Sequence, residues 1–147
     1  MTMQTQTLLN INEYFIRELT LKVNQEIANK PKNKEKIPIN IALQIREKSN
    51  SDKTFMVVLE LTYGEINKKV LVTPFFLFCS IEGFFTLIGD PDENVGKNLK
   101  HLNAPSILYG IARGIIGQIT SNTRLGKLII PPVNFVEILK RGKVKNK

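Results

Sequence analysis

A strict alternation of apolar and polar residues early in the chain constrains the fold more than any other feature. The apolar residues of the repeat are Ile37, Ile39, Ile41, Leu43 and Ile45. Because successive side chains of an extended chain point to opposite faces, this period of two indicates a strand with one buried face. A helix would require apolar residues three and four positions apart.

Two other segments repeat the alternation, at residues 14–23 and 55–63. The residues predicted to share a buried face are Phe15, Leu19, Leu21 and Val23 in the first segment, and Phe55, Val57, Leu59 and Leu61 in the second. Met56 and Val58 are predicted to face the other way. Both segments are therefore interpreted as strands.

A fourth predicted strand, at residues 70–87, is apolar on both faces. Phe75, Leu77 and Cys79 fall on one face, whereas Phe76 and Phe78 fall on the other. A sheet covered by helices on one side buries only one face, so the second apolar face needs another subunit or a client. We predict that Phe76, Phe78 and Phe84 form a subunit interface.

The pattern becomes helical after Asp90. Asp92 and Glu93 favour the start of a short helix, and Pro105 suits the first turn of a second. The second helix carries apolar residues at helical spacing, namely Ile107, Leu108, Ile111, Ile115 and Ile119. Asn134 is predicted to cap a final turn. The order of elements predicts an α+β fold, with a four-stranded antiparallel sheet followed by two to three helices packed on it.

The length of 147 residues fits one domain. We predict an N-terminal arm at residues 1–12, a domain at 13–139 with its sheet at 13–88 and its helical part at 89–139, and a C-terminal tail at 140–147. The net charge is +8, and the tail holds five basic residues and no acid. A solvated tail and a tail that contacts an acidic partner or nucleic acid both remain open. Nucleic acid is the less favoured, because the tail lacks aromatic residues for base stacking.

Composition excludes several classes. Cys79 is the only cysteine, so neither an intramolecular disulfide nor a cysteine-based metal cluster is possible. No apolar run approaches the roughly 20 residues of a spanning helix, and the N-terminus lacks the features of a signal peptide. We expect a cytoplasmic protein that does not insert into a membrane.

Motifs for catalysis or cofactor binding are weak. The segment from Asp90 departs from a calcium loop, since Val95 stands where glycine is required and His101 where glutamate is required. Gly96 and Lys97 lack the spacing of a phosphate loop. We therefore predict no enzyme activity, no cofactor and no metal.

Three segments carry a resemblance to a known family. Residues 106–113 read Ser-Ile-Leu-Tyr-Gly-Ile-Ala-Arg and resemble Asn-Ile-Leu-Phe-Pro-Tyr-Ala-Arg of the SecB-type protein-export chaperones. Residues 132–135 read Pro-Val-Asn-Phe, as in that family, and residues 83–87 read Gly-Phe-Phe-Thr-Leu, similar to its Gly-Ile-Phe-Thr-Ile. The chain thus resembles a divergent, basic member of the family over residues 13–139.

The resemblance implies an ATP-independent holdase that assembles as a dimer of dimers. It implies that unfolded polypeptides or preproteins bind in apolar grooves lined by the second strand and the main helix. The residues at those positions are Ile39, Ile41 and Leu43 on the strand, and Leu108, Ile111 and Ile115 on the helix.

Departures from the family keep other functions open. Typical members are acidic and present carboxylates on the sheet to the SecA motor, whereas residues 75–78 here read Phe-Phe-Leu-Phe. Glu13 and Glu18 remain on the first strand, and Gly110 replaces the proline of the helix motif. The alternatives are a chaperone dedicated to one partner, such as an antitoxin, and a small basic nucleic-acid-binding protein.

Overall fold

A computed structural model describes residues 8–27, 37–48, 51–141 and 144–146. The elements in chain order are β1 (Leu9–Val23), β2 (Ile39–Lys48), β3 (Ser51–Tyr63), β4 (Ile66–Asn67), β5 (Val70–Leu71), β6 (Phe75–Leu87), α1 (Glu93–Asn98), a π-helical turn (Leu99–Asn103), α2 (Ala104–Thr120), α3 (Phe135–Lys140) and β7 (Val144–Asn146). The first seven residues of the predicted arm, and residues 142, 143 and 147 of the predicted tail, lie outside the described part.

The sheet has the strand order β1-β6-β3-β2-β7. Its first four strands are antiparallel neighbours, which confirms the predicted four-stranded antiparallel sheet and the α+β class. The short strand β7 joins β2 in parallel and comes from the segment predicted to be a tail. Residues 9–12, predicted to belong to the arm, are the start of β1.

The predicted fourth strand is shorter than expected because its first part folds separately. β4 and β5 pair with each other in a small hairpin, whose turn holds Lys68 and Lys69 at positive φ. Pro74 has no N–H to donate to a ladder and precedes the first residue of β6. Strand β6 therefore begins at Phe75.

Two irregularities in β1 change which side chains are buried. The register with β6 shifts between Ile11 and Glu13 and again between Ile16 and Glu18. An extra residue on one strand reverses the alternation of faces beyond it. The prediction that Phe15 shares the buried face of Leu19 was therefore wrong. Phe15 lies opposite Glu82 and is 48% exposed.

The core lies between one face of the sheet and α2. Leu59 of β3 and Ile81 of β6 are fully buried there, as are Leu108, Ala112 and Ile116 of α2. The predicted helical stripe was partly wrong, because Ile107 is 39% exposed whereas Ala112 is buried. The small side chain of Ala112 lets α2 lie close to the strands.

The segment that follows α2 is fastened to the helix by polar side chains. Thr120 donates its hydroxyl hydrogen to the Ile116 carbonyl at 2.6 Å and accepts from the Leu128 N–H at 2.8 Å. Arg113 Nε donates to the Ile130 carbonyl at 2.9 Å, and the Tyr109 hydroxyl donates to the Pro131 carbonyl. These contacts hold the segment in place and direct the chain into α3.

Gly83 is predicted to be required for the packing of α2 on β6. A Cβ atom at Gly83 would lie 2.8 Å from Cε2 of Phe85 and 3.0 Å from Cδ1 of Leu108, both fully buried. Because neither neighbour can move into free space, we expect Gly83→Ala to lower the free energy of unfolding by about 1–3 kcal/mol in urea titrations. Gly114→Ala is the control: nothing lies within 4 Å of the added atom, so it should stabilise α2 by up to about 1 kcal/mol. An unchanged stability for Gly83→Ala would contradict this packing.

The hydrogen bond from Tyr109 predicts a pH-dependent stability. Burial raises the pKa of Tyr109 to about 12, with a smaller opposite effect from Arg113. A tyrosine in the unfolded chain has a pKa of about 10, so stability is complete below pH 10 and falls as the pH rises towards 12. Replacing Tyr109 by phenylalanine should cost about 1–3 kcal/mol near pH 8, because the Pro131 carbonyl loses its partner.

The difference between wild type and Tyr109→Phe should shrink between pH 10 and pH 12, by up to about 1.4 kcal/mol per pH unit. Urea unfolding at several pH values measures this difference and cancels the titration of lysines common to both chains. Tyr14→Phe, at a position 47% exposed, is the control. A constant difference for Tyr109→Phe would show that the phenol does not lose its proton preferentially on unfolding.

Candidate functional site

The six residues predicted to bind clients are not equally accessible in the structure. Leu43 and Leu108 are 2% and 0% exposed, and Ile41 is 8% exposed, because all three belong to the core between the sheet and the helices. Ile39, Ile111 and Ile115 are half-buried at the border of the core. Only this second group, and the rim of Ile41, can meet another molecule without opening the core. A contact of any of the six with a client stays a prediction.

A cleft lies between the start of β2 and helix α3. Its walls are formed by Ile39, Ile41, Val133, Asn134, Glu137, Ile138 and Arg141. Its volume of about 260 Å³ is below the roughly 300–1,000 Å³ of typical small-molecule sites, so it suits one or two side chains of a polypeptide. The cleft unites two of the three β2 residues predicted to bind clients, Ile39 and Ile41, but α2 contributes nothing to its walls.

Helix α3 supplies the wall that sequence reasoning did not identify. Asn134 caps this helix, since its Oδ1 accepts the Val136 N–H at 3.0 Å. Phe135 and Ile138 are buried and hold the helix against the body of the protein. The apolar pair at positions i and i+3 after a capping asparagine was the available sign that this helix packs inward.

The face of the sheet turned away from α2, here called the outer face, carries the aromatic residues of the predicted subunit interface. Phe76, Phe78 and Phe84 alternate with the core residues of β6 and are half-buried. Phe15 lies beside Phe84 in an edge-to-face contact, with ring centroids 6.2 Å apart. The predicted placement of these phenylalanines away from the core is confirmed, and their role as an interface stays a prediction.

Four carboxylates lie on the outer face as well. Strand pairing places Glu18 opposite Ser80, which lies opposite Glu60 on β3. Glu13 lies opposite Phe84, and Glu82 lies opposite Phe15. Glu13 and Glu18 share this face only because the irregularity near Arg17 reverses the alternation between them. The sequence showed these two on the first strand but gave no basis for grouping Glu60 and Glu82 with them.

The four carboxylates, here called the acidic group, have no ion-pair partner within the described residues. Glu13, Glu18 and Glu60 are exposed and Glu82 is half-buried. The basic residues of the outer face lie towards its ends, with Lys22 opposite Phe76 and Arg46 opposite Met56. A chain with a net charge of +8 therefore presents negative charge beside aromatic surface on this face.

The charged residues around the start of α1 are held by contacts within the chain. Lys53 pairs with Asp90 and Lys100 with Glu47, each at 3.0 Å. Asp92 accepts the Val95 N–H at 2.8 Å, so the aspartate-rich segment starts a helix. Within the described residues no group of three or more potential ligands could hold a metal ion.

The surroundings of Cys79 and His101 are explained by the fold. Cys79 is fully buried, and burial raises the pKa of its thiol, which disfavours the reactive thiolate. His101 Nδ1 lies 3.0 Å from the Lys97 carbonyl, one helical turn earlier. Among the described residues, none of the helices combines the length and the apolar character needed to cross a bilayer.

Comparisons with known proteins agree with this fold. A family model described as preprotein translocase subunit SecB matches residues 2–146. An uncharacterized protein of Methanocaldococcus jannaschii is 27% identical over 131 residues, which cover 89% of this chain and 82% of that protein. The protein-export protein SecB of Mesorhizobium japonicum is 26% identical over 136 residues, covering 90% of this chain and 78% of the relative.

A solved structure shares the fold at low sequence identity. It is the SecB-like chaperone of Mycobacterium tuberculosis in complex with a ChAD peptide from the HigA1 antitoxin. The TM-score is 0.57 at 13% identity, with 86% of this chain and 88% of the other covered. Since the family model spans nearly the whole chain, the chain is a member of the SecB family, and this membership gives it a chaperone role.

Proposed function

We propose that the protein is an ATP-independent holdase that binds unfolded polypeptides in extended form along β2. The observation that carries the proposal is the cleft between β2 and α3, where Ile39, Val133 and Ile138 form an apolar trough rimmed by Glu137 and Arg141. Burial of apolar side chains in such a trough contributes roughly 25 cal/mol per Å² removed from water and does not depend on sequence. No nucleotide is needed for this step.

The clients that we propose are preproteins held in the cytoplasm before export. Two observations support a polypeptide client. Relatives that match most of this chain are named protein-export proteins, and the structural relative was solved with a peptide of an antitoxin. The second observation also supports the alternative of a chaperone dedicated to one antitoxin. A client panel separates the two, because a dedicated chaperone should prefer one peptide strongly.

The acidic group supports a docking role for the outer face. Carboxylates that have no ion-pair partner among the described residues and lie beside aromatic rings favour a partner with basic and apolar groups, and they would steer its approach. We propose that this partner is the SecA motor. Residues 75–78 carry no acid, so Glu60, Glu82 and the two glutamates of β1 are the carboxylates that we propose for this contact.

We propose that assembly with other copies uses the edge strand β1, in place of the outer-face interface predicted from Phe76, Phe78 and Phe84. Two outer faces packed together would bring like charges close and would desolvate carboxylates without partners, which is costly. Strand β1 is an edge of the sheet in the described structure, and Tyr14 and Ile16 on it are 47% and 45% exposed. A second copy would cover this edge, and a dimer of dimers is the assembly that we propose.

The holdase proposal predicts that one charge in the cleft weakens client binding. Ile39→Asp should reduce the affinity for an unfolded protein about tenfold, or ~1.4 kcal/mol, since the carboxylate must lose water where a client side chain would bind. Val133→Asp on the opposite wall should act in the same way. The measurement is suppression of light scattering by a denatured model protein at increasing chaperone concentration.

Val72→Asp is the matched control, because Val72 is 55% exposed and does not line the cleft. It should suppress aggregation as the wild type does. Circular dichroism melts of each variant ensure that lost binding is not lost folding. Equal suppression by the control and both cleft variants would remove the cleft from the proposal. No suppression by the wild type at several-fold excess would reject the holdase itself.

The docking proposal predicts a salt-sensitive interaction with SecA. Replacing Glu18, Glu60 and Glu82 together by glutamine should weaken SecA binding at least tenfold at low salt while leaving client binding unchanged. Titration by fluorescence anisotropy at 50 and 300 mM salt measures both quantities. Glu93→Gln, an exposed position on α1, is the control for a simple loss of net charge. Wild-type affinity in the triple variant would exclude the acidic group as the docking site.

A further inference from the structure

The C-terminal strand β7 occupies the edge of β2 beside the cleft. The other strand pairs of this sheet are antiparallel, whereas β7 runs parallel to β2. The segment that follows α2 leads the chain back along that helix, and α3 then lies beside the start of β2. The paired residues are Leu43 with Val144, Gln44 with Lys145 and Ile45 with Asn146.

The position of β7 shows that this edge accepts an extended chain from outside the four-stranded sheet. One side of β2 is bonded to β3, so its other side offers a row of N–H and C=O groups. Addition of a strand to such an edge is a general way of binding extended polypeptides, with backbone bonds for affinity and neighbouring pockets for side chains. The cleft at Ile39 and Ile41 lies at the next positions along the same edge.

The pairing of β7 is short enough to be displaced. It comprises three residues in a parallel ladder, which is slightly less stable per residue than an antiparallel one. The few hydrogen bonds gained are offset by the entropy lost in ordering the segment. The last eight residues also carry five positive charges and no acid, so the segment repels itself.

We propose that β7 is an internal competitor for client binding at the edge of β2. This inference rests on the proposed holdase function and adds to it a regulation of the same site. A client segment that pairs with residues 43–45 must first displace the chain's own C-terminal strand, so clients with longer or more apolar segments are favoured over short ones. If β7 is in place nine-tenths of the time, the apparent Kd of a client is about tenfold weaker than its intrinsic Kd.

The test compares the full chain with a chain that ends at Arg141, which keeps the whole cleft lining. The probe is labelled, reduced and carboxymethylated α-lactalbumin, which remains unfolded, and its Kd is measured by fluorescence anisotropy. We expect the shortened chain to bind three- to tenfold more tightly. A double-proline variant, Val144→Pro with Lys145→Pro, places proline at two consecutive residues of β7, whose N–H groups point to opposite sides, so it removes a ladder N–H whichever side faces β2. It keeps four of the five tail charges and should tighten binding to the same extent.

A third variant separates pairing from charge. The variant in which glutamine replaces Lys143, Lys145 and Lys147 keeps the strand and loses three positive charges. Its Kd for the probe should stay within twofold of that of the full chain. Hydrogen exchange provides a readout without client: among residues 43–45, the amides directed at β7 should exchange faster in the double-proline variant, while those bonded to β3 and those of β6 keep their protection.

The outcomes are distinguishable. Equal affinities in the full chain, the shortened chain and the double-proline variant overturn the competitor and leave the holdase standing. Tightening in the shortened chain and the glutamine variant, but not in the double-proline variant, assigns the effect to charge and also overturns it. Tightening in the shortened chain and the double-proline variant, with the glutamine variant unchanged, supports the competitor, whereas tightening in the shortened chain alone overturns it. No binding by any of the four chains rejects the holdase and the competitor together.

Discussion

The single layer of helix over the sheet determines which surfaces this protein can offer. Helix α2 covers one face, where Leu59, Ile81 and Leu108 are enclosed almost completely. A sheet of this width has a second face and two edges, and the described helices do not cover them. The apolar residues on those surfaces cannot be buried in the chain's own core. Their exposure is therefore a consequence of the architecture, and binding is the use that fits it.

The irregularities of β1 change which side chains lie on the outer face. Without the shift near Arg17, Phe15 would face α2, and Glu13 and Glu18 would lie on opposite faces. With it, Phe15 and Glu13 join the face that already carries Glu18, Glu60 and Glu82. A single extra residue thus extends the combination of negative charge and apolar surface that a basic partner would recognise.

Much of the fold could be predicted because the strands carry a period of two that is hard to mistake. The alternation in β2 and β3, and the two-sided apolar pattern of β6, follow directly from the residues. The same reasoning failed in β1 because of its bulges. An extra residue cannot be recognised from composition, and it reverses which face each later side chain occupies. The extent of β7 was equally hidden: three residues in a lysine-rich segment show no strand pattern of their own, and only the neighbouring edge of β2 makes them extended.

The candidate site was harder to predict than the fold. The family resemblance pointed to β2 and α2, and two of the residues it named, Ile39 and Ile41, line a cleft in the structure. Two others that it named, Leu43 and Leu108, are buried in the core. Apolar character alone cannot separate a buried residue from a binding residue. That distinction depends on where α2 and α3 lie against the sheet, and Tyr109 and Arg113 hold in place the segment that leads from α2 into α3.

An exposed strand edge is both useful and hazardous to a protein that binds unfolded chains. An unpaired row of backbone groups captures an extended client, and it equally promotes pairing between copies of the chaperone. The two edges of this sheet meet the hazard differently. Strand β1 has two irregularities that interrupt a regular ladder, whereas β2 is covered by a strand of three residues. A permanently paired strand would protect the edge of β2 but would also prevent client binding there. A weakly paired strand protects the edge until a client segment that pairs more strongly displaces it. The short pairing and the positive charge of the C-terminal segment keep that cover weak.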